Sequence, residues 1–163
     1  MARDDYQKAL KKGERSYARY LSEGKYPYLQ VLEELLSHTD VVAEEDLGIC
    51  SIPSEMIVGT FTAGRRTAFA PNFMPLLDDE SEFAAKWQAL YNAHLEEGIH
   101  DPIKCYEFMN RYYVLEGNKR VSVLKFCGAP SVQGNVTRII PKRTDEPETR
   151  HVNRRRHHYP TPS

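Results

Sequence analysis

Apolar side chains in the first forty residues recur at helical spacing. Tyr6, Ala9, Leu10, Tyr17, Tyr20 and Leu21 form one stripe, interrupted at Lys12-Gly13, and Leu29, Val31, Leu32, Leu35 and Leu36 form a second. Gly24-Lys25-Tyr26-Pro27 separates the stripes, and His38-Thr39-Asp40 closes the second. Residues 1–45 are therefore predicted as a helical hairpin that packs on the domain behind it. The outer surface of residues 4–40 is also a candidate contact for a protein partner.

From Asp46 the pattern changes. Leu47–Ile52 alternates as a strand, and Pro53–Ile57 reads as a turn or a single helical turn, since proline suits a first helical position. Gly59–Pro75 reads as a long loop. It carries Phe61, Phe69, Phe73 and Met74, more apolar weight than a solvated linker needs, so it is expected to fold over something. Asp78-Asp79-Glu80-Ser81 then supplies caps and first-turn acids for a helix running to Glu97, with Phe83, Trp87, Leu90, Tyr91 and Leu95 on one face. Pro102–Phe108 and Arg111–Leu115 form a hairpin around Met109-Asn110. A short helix from Gly117-Asn118 ends near Gly128, and a last strand spans Val132–Ile140. Beyond Pro141 apolar side chains almost vanish, which predicts disorder for residues 142–163.

Composition narrows the class. The 163 residues carry 22 Lys+Arg against 23 Asp+Glu, yet residues 142–163 hold six basic side chains and three acids, a charge of +3 that leaves −4 for the rest. A mildly acidic body argues against a dedicated duplex-DNA binder. Any nucleic-acid grip would be nonspecific, made by Lys119, Arg120 and Arg154–Arg156. There is no apolar run long enough to cross a membrane and no signal-like start, which points to the cytoplasm. Cys50, Cys105 and Cys127 lack the spacing of a zinc site or a disulfide scaffold and read as reduced thiols. His151, His157 and His158 lack acidic or thiol partners at fixed spacing, so no metal site is expected.

The chemistry concentrates at Tyr112–Leu124. A glycine between a strand and a helix allows a tight turn, after which the free amides of the first helical turn face an anion. Lys119 and Arg120 fall in that turn, where cations are unfavourable to the helix dipole and a bound anion would offset the cost. A solvated basic turn accounts for the same pattern. Glu116, just before the turn, is a candidate for holding a divalent cation or a water, or for pairing with Lys119 or Arg111.

The runs Gly98–Lys104, Tyr112–Leu124, Gly128-Ala129-Pro130 and Val136-Thr137 resemble the ParB/sulfiredoxin superfamily over about residues 46–141. The resemblance implies an α+β fold, a small mixed sheet with helices, here preceded by the helical hairpin and followed by the basic tail 142–163. It also implies a nucleotide-phosphate site for ATP or CTP, with or without Mg2+, at Gly117, Asn118, Lys119 and Arg120, with Pro102 and Ile103 in the family's Pro-Ile segment. Arg65 or Arg66 is the counterpart of the family's earlier phosphate-contacting arginine. Asn118 stands where sulfiredoxins carry their catalytic cysteine, so sulfinic-acid reduction is not expected. ParB partition proteins follow this domain with a helix-turn-helix region, for which the stretch beyond the last strand is expected to leave no room. The stretches Tyr26–Leu29, Ile57–Thr60, Asn72–Leu76, Glu82–Trp87 and Glu116–Val123 resemble, more narrowly, the N-terminal region of larger clostridial proteins. Those proteins continue into a substrate-binding domain of the basic membrane lipoprotein type, which suggests a truncated or frame-shifted relative, with a short stand-alone member as the alternative. The function expected is a bacterial nucleotide-binding regulatory domain, with weak NTP hydrolysis open. The alternatives are a nonspecific nucleic-acid module and a non-catalytic sensor that acts through its helical extension.

Overall fold

The computed structural model describes residues 4–142. Helix α1 spans Asp4–Ser22 and buries Tyr6, Ala9, Gly13 and Ser16, one stripe at a spacing of three to four. Strand β1 (Gln30–Val31) and a single short helix α2 (Leu32–Leu36) follow. Strand β2 (Val41–Pro53) leads through a 3-10 turn at Ser54–Met56 into β3 (Ile57–Thr60) and a second 3-10 segment, Ala63–Ala68. Helix α3 (Glu82–Glu97), strands β4 (Ile103–Phe108) and β5 (Arg111–Glu116), helix α4 (Asn118–Phe126) and strand β6 (Ser131–Pro141) complete the chain order. The six strands make one mixed sheet in the order β1-β3-β5-β4-β6-β2. The fold is α+β with a mixed sheet, as expected.

The N-terminal hairpin needs correction. Its first helix is present, but the second stripe divides into an edge strand and a five-residue helix. Leu29, Val31 and Leu32 are each buried, and Gln30-Val31 pairs in parallel with Gly59-Thr60. Any side chain at position 59 would strike the Gln30 carbonyl, so the missing Cβ is what lets the two backbones meet. Tertiary pairing thus overrides a helical spacing only two turns long. The boundary at 45/46 falls inside β2, and the long loop begins later than expected because Ile57–Thr60 is a strand. The tail from Arg143 on, with Arg154–Arg156 and the three tail histidines, lies outside the described residues.

One face of the sheet carries α1, α3 and α4 around a core of Tyr6, Trp87, Phe69, Phe73, Ile103, Val114 and Val121. Trp87 Nε1 donates to Ser122 Oγ at 2.8 Å, which joins α3 to α4 inside that core. Among the described residues the other face carries α2, whose Leu32 packs with Tyr113 and Ile139. The β4–β5 hairpin turns at Met109 and Asn110, both at positive φ (55° and 66°). That conformation suits Asn and not Met. Buried Glu107 anchors the turn by accepting from the Asn110 N–H at 2.9 Å and from Arg138 Nε at 2.8 Å. Among the described residues no helix is long and apolar enough to cross a membrane.

Candidate phosphate site at the start of helix α4

Strand β5 delivers the chain to Gly117, which caps α4 at φ 115°, ψ 23°. A side chain is excluded there twice: the φ is left-handed, and a Cβ would lie 2.6 Å from Ile103 Cγ2. Ile103, buried at the start of β4, is therefore the floor of the turn. The first intrahelical bond runs from the Val121 N–H to the Gly117 carbonyl at 2.9 Å, which leaves Asn118, Lys119 and Arg120 as the amide-bearing first turn.

Asn118 is held from behind. Its Nδ2 donates to Thr60 Oγ1 at 3.2 Å, and that hydroxyl donates to the Val114 carbonyl at 3.2 Å. Among the described residues its buried Oδ1 has no hydrogen-bond partner, an unmet acceptor in the first turn. Lys119 Nζ lies 5.3 Å from the Phe83 ring centre. Arg120 Nη1 donates to the carbonyls of Asp101 (3.1 Å) and Pro102 (3.2 Å), tying the turn to the loop before β4.

These residues open on a cavity of about 260 Å3 whose other wall is Phe69, Phe83 and Leu90. The turn and floor were legible in the sequence, whereas Phe83 and Leu90 read there only as a helical core stripe. Phe69 carried the one available signal, the excess apolar weight of the long loop. Thr60, behind Asn118, gave none.

The remaining candidates sit elsewhere. Arg66 forms an ion pair with Glu34 on α2, and its guanidinium lies 5.9 Å from the Tyr26 ring, so it does not line the cavity. Arg65 belongs to the same 3-10 segment, and its side chain is outside what the structure describes. Glu116 pairs with Lys104 at 3.7 Å, rather than with Lys119 or Arg111, and the two side chains are 61% and 58% exposed. Exposure of that degree makes the pair weak. The thiols do not join the site: burial pushes Cys105 up to about 12, and burial and Asp5 raise Cys127 beyond the far end of α4. Lys125, in the last turn of α4, is pushed down to about 8 by burial, opposed by Glu55. Its Nζ donates to the Ile57 carbonyl at 3.0 Å and lies 5.2 Å from the Phe73 ring.

Sheet, turn and cavity together define an α+β protein in which a helix N-terminus with two cationic side chains faces a partly apolar pocket. No family model matches the chain, and no curated protein matches it. Among solved structures, sulfiredoxin from Arabidopsis thaliana is similar over 63% of this chain and 93% of its own, with 23% identity and a TM-score of 0.37.

Proposed function

We propose that this protein is a ParB/sulfiredoxin-like regulatory domain that binds a nucleotide, ATP or CTP, by its phosphates at Gly117, Asn118, Lys119 and Arg120. The observation that supports it is the strand-glycine-helix turn opening on the cavity. First-turn amides and a positive dipole end favour an anion there, and two cations placed against that dipole are costly unless an anion compensates them.

The cavity limits what enters. At about 260 Å3 it falls below the roughly 300–1,000 Å3 usual for whole-ligand pockets, so it takes part of a nucleotide and leaves the rest at the rim. Phe69, Phe83 and Leu90 supply the apolar side. Arg120 makes both carbonyl bonds through Nη1 of a group with five donors, so it can hold the turn and still meet a phosphate. Glu116 pairs with Lys104 and is absent from the lining of this cavity, so the reading gives it no part in holding the phosphates. Residue 118 is an amide without sulfur, so this reading does not include sulfinic-acid reduction.

Calorimetric titration with ATP and with CTP, each with magnesium, tests the proposal beside Lys119→Ala and Asn118→Ala variants of unchanged circular dichroism. Micromolar binding by the parent chain, weakened roughly tenfold or more by Lys119→Ala, is expected, a difference of about 1.4 kcal/mol. No heat with either nucleotide refutes it.

A further inference from the structure

The strand order places β2 at one end of the sheet, so its outer edge has no neighbouring strand among the described residues. That edge is 13 residues long, an open row of backbone donors and acceptors. Glu44, Glu45 and Asp46 lie in its first half, and the register decides where each points. Glu44 opposes Ile139 and Asp46 opposes Thr137, on the face away from α1, α3 and α4, whereas Glu45 opposes Arg138. Past the irregularity between Asp46 and Gly48, Ile49 opposes Asn135 and returns to that open face. Ile49 is 58% exposed and Val42 60%.

Beside this edge lies a second cavity, about 370 Å3 and larger than the one at α4. It begins at Glu44 and Asp46, crosses β6 past Asn135 and Thr137, and reaches Lys104 and Tyr106 on β4. Asp46 Oδ1 accepts from the Gly48 N–H, and among the described residues neither Glu44 nor Asp46 has a basic partner.

We infer that the free edge of β2 is a docking site for an extended basic peptide, which adds to the sheet as a seventh strand. The backbone edge supplies the hydrogen bonds, and the acid pattern supplies the selection. Side chains of an added strand alternate between faces, so two basic residues separated by one position meet Glu44 and Asp46, and an aliphatic residue further along meets Ile49. The long stem of one of these lysines or arginines lies in the groove over β6. The same carboxylates reject other occupants. Two copies of β2 paired about their acidic segments would set like charges opposite one another, and a nucleic-acid backbone would meet negative charge.

A fluorescein-labelled peptide of about ten residues, alternating lysine with threonine and valine, tests this against the full chain by anisotropy. A lysine-glycine peptide of equal charge and a single-stranded oligonucleotide serve as the other probes. Glu44→Lys/Asp46→Lys, two substitutions at exposed positions outside the core, is the variant. Saturable binding of the first peptide is expected, with at least tenfold weaker binding of the lysine-glycine peptide and of the variant, and slowed amide exchange confined to 41–53. Four results overturn the inference: no binding, equal binding of the two peptides, tighter binding of the oligonucleotide, or a β2 edge occupied by a second copy, seen as a mass that doubles with concentration. None of these readouts depends on the nucleotide site.

Discussion

Replacing Gly13 with alanine sets two effects of opposite sign against each other. Gly13 lies inside α1, where propensity alone makes Gly→Ala stabilising by about 1 kcal/mol. The tertiary surroundings act the other way. An alanine methyl would overlap the Pro75 carbonyl oxygen and lie 3.1 Å from that of Met74, both backbone atoms with no rotamer to escape into. The helix cannot simply lift. Tyr6 Oη donates to the Leu77 carbonyl at 2.5 Å, Gln7 Nε2 to Asp79 at 2.6 Å, and the Tyr6 N–H to Gln88 at 3.1 Å. Relief needs a displacement on the order of 1 Å, which stretches those three bonds or moves the buried hairpin of Phe69–Leu76. Overpacking of this kind costs about 1–3 kcal/mol and more where backbone is struck, so the net expectation is a destabilisation of about 2 kcal/mol. For a chain of this size that lowers Tm by roughly 4–8 °C. Thermal and urea unfolding followed by circular dichroism and by Trp87 fluorescence measure it, with Gly64→Ala as the control. Gly64 has nothing within 4 Å of a built Cβ and is expected to stay within about 0.5 kcal/mol of the parent. An equal or raised Tm for Gly13→Ala would refute the close seating of α1 on the Met74-Pro75 backbone.

Two further perturbations probe the core and the half-buried amine of Lys125. Ser122→Ala removes the acceptor of the Trp87 N–H, both groups being fully buried, and is expected to cost about 1–3 kcal/mol by urea unfolding. In a Trp87→Phe background the same change should cost markedly less, since the donor is already gone; an undiminished cost there would mean that the bond is not what Ser122 contributes. Lys125 has a folded pKa near 8 against an ordinary 10.5, so across that interval the unfolded chain binds the extra proton and stability rises with pH. Below pH 8 the amine is charged in both states and its burial penalty is fully present. Lys125→Met is therefore expected to be more stable than the parent at pH 7, by about 1–2 kcal/mol, with the advantage shrinking as pH rises from 8 to 10.5. A pH-independent difference between the two urea midpoints would show that Lys125 is not desolvated.

What the sequence disclosed follows from how far apart the deciding residues lie. Helix α3 was legible because its signals are local: Ser81 accepts from the Ala84 N–H at 3.0 Å, as a cap three residues upstream should, and Gly98 ends it at φ 85°. The β4–β5 hairpin and the Gly117 turn are equally local, each set by two or three consecutive residues. Strand β1 was not legible, since two residues between apolar neighbours carry no period, and their state is decided by Gly59, 29 positions away from Gln30. The site divides along the same line. Gly117, Asn118, Lys119 and Arg120 are contiguous and announce themselves. The wall opposite comes from Phe69 and from Phe83 and Leu90 on a different helix, and an aromatic that lines a cavity is written no differently from one that fills a core. Arg66 shows the limit from the other side. Its loop position suits a phosphate ligand, but the side chain is already committed to Glu34 and the Tyr26 ring on elements that the sequence pattern had assigned to a separate hairpin. Because α2 and β1 belong to the sheet domain, the residues that compete for Arg66 are part of the same packed unit as the site. Arg66 is held by that pair and is absent from the cavity lining, whereas Lys119 and Arg120 line it.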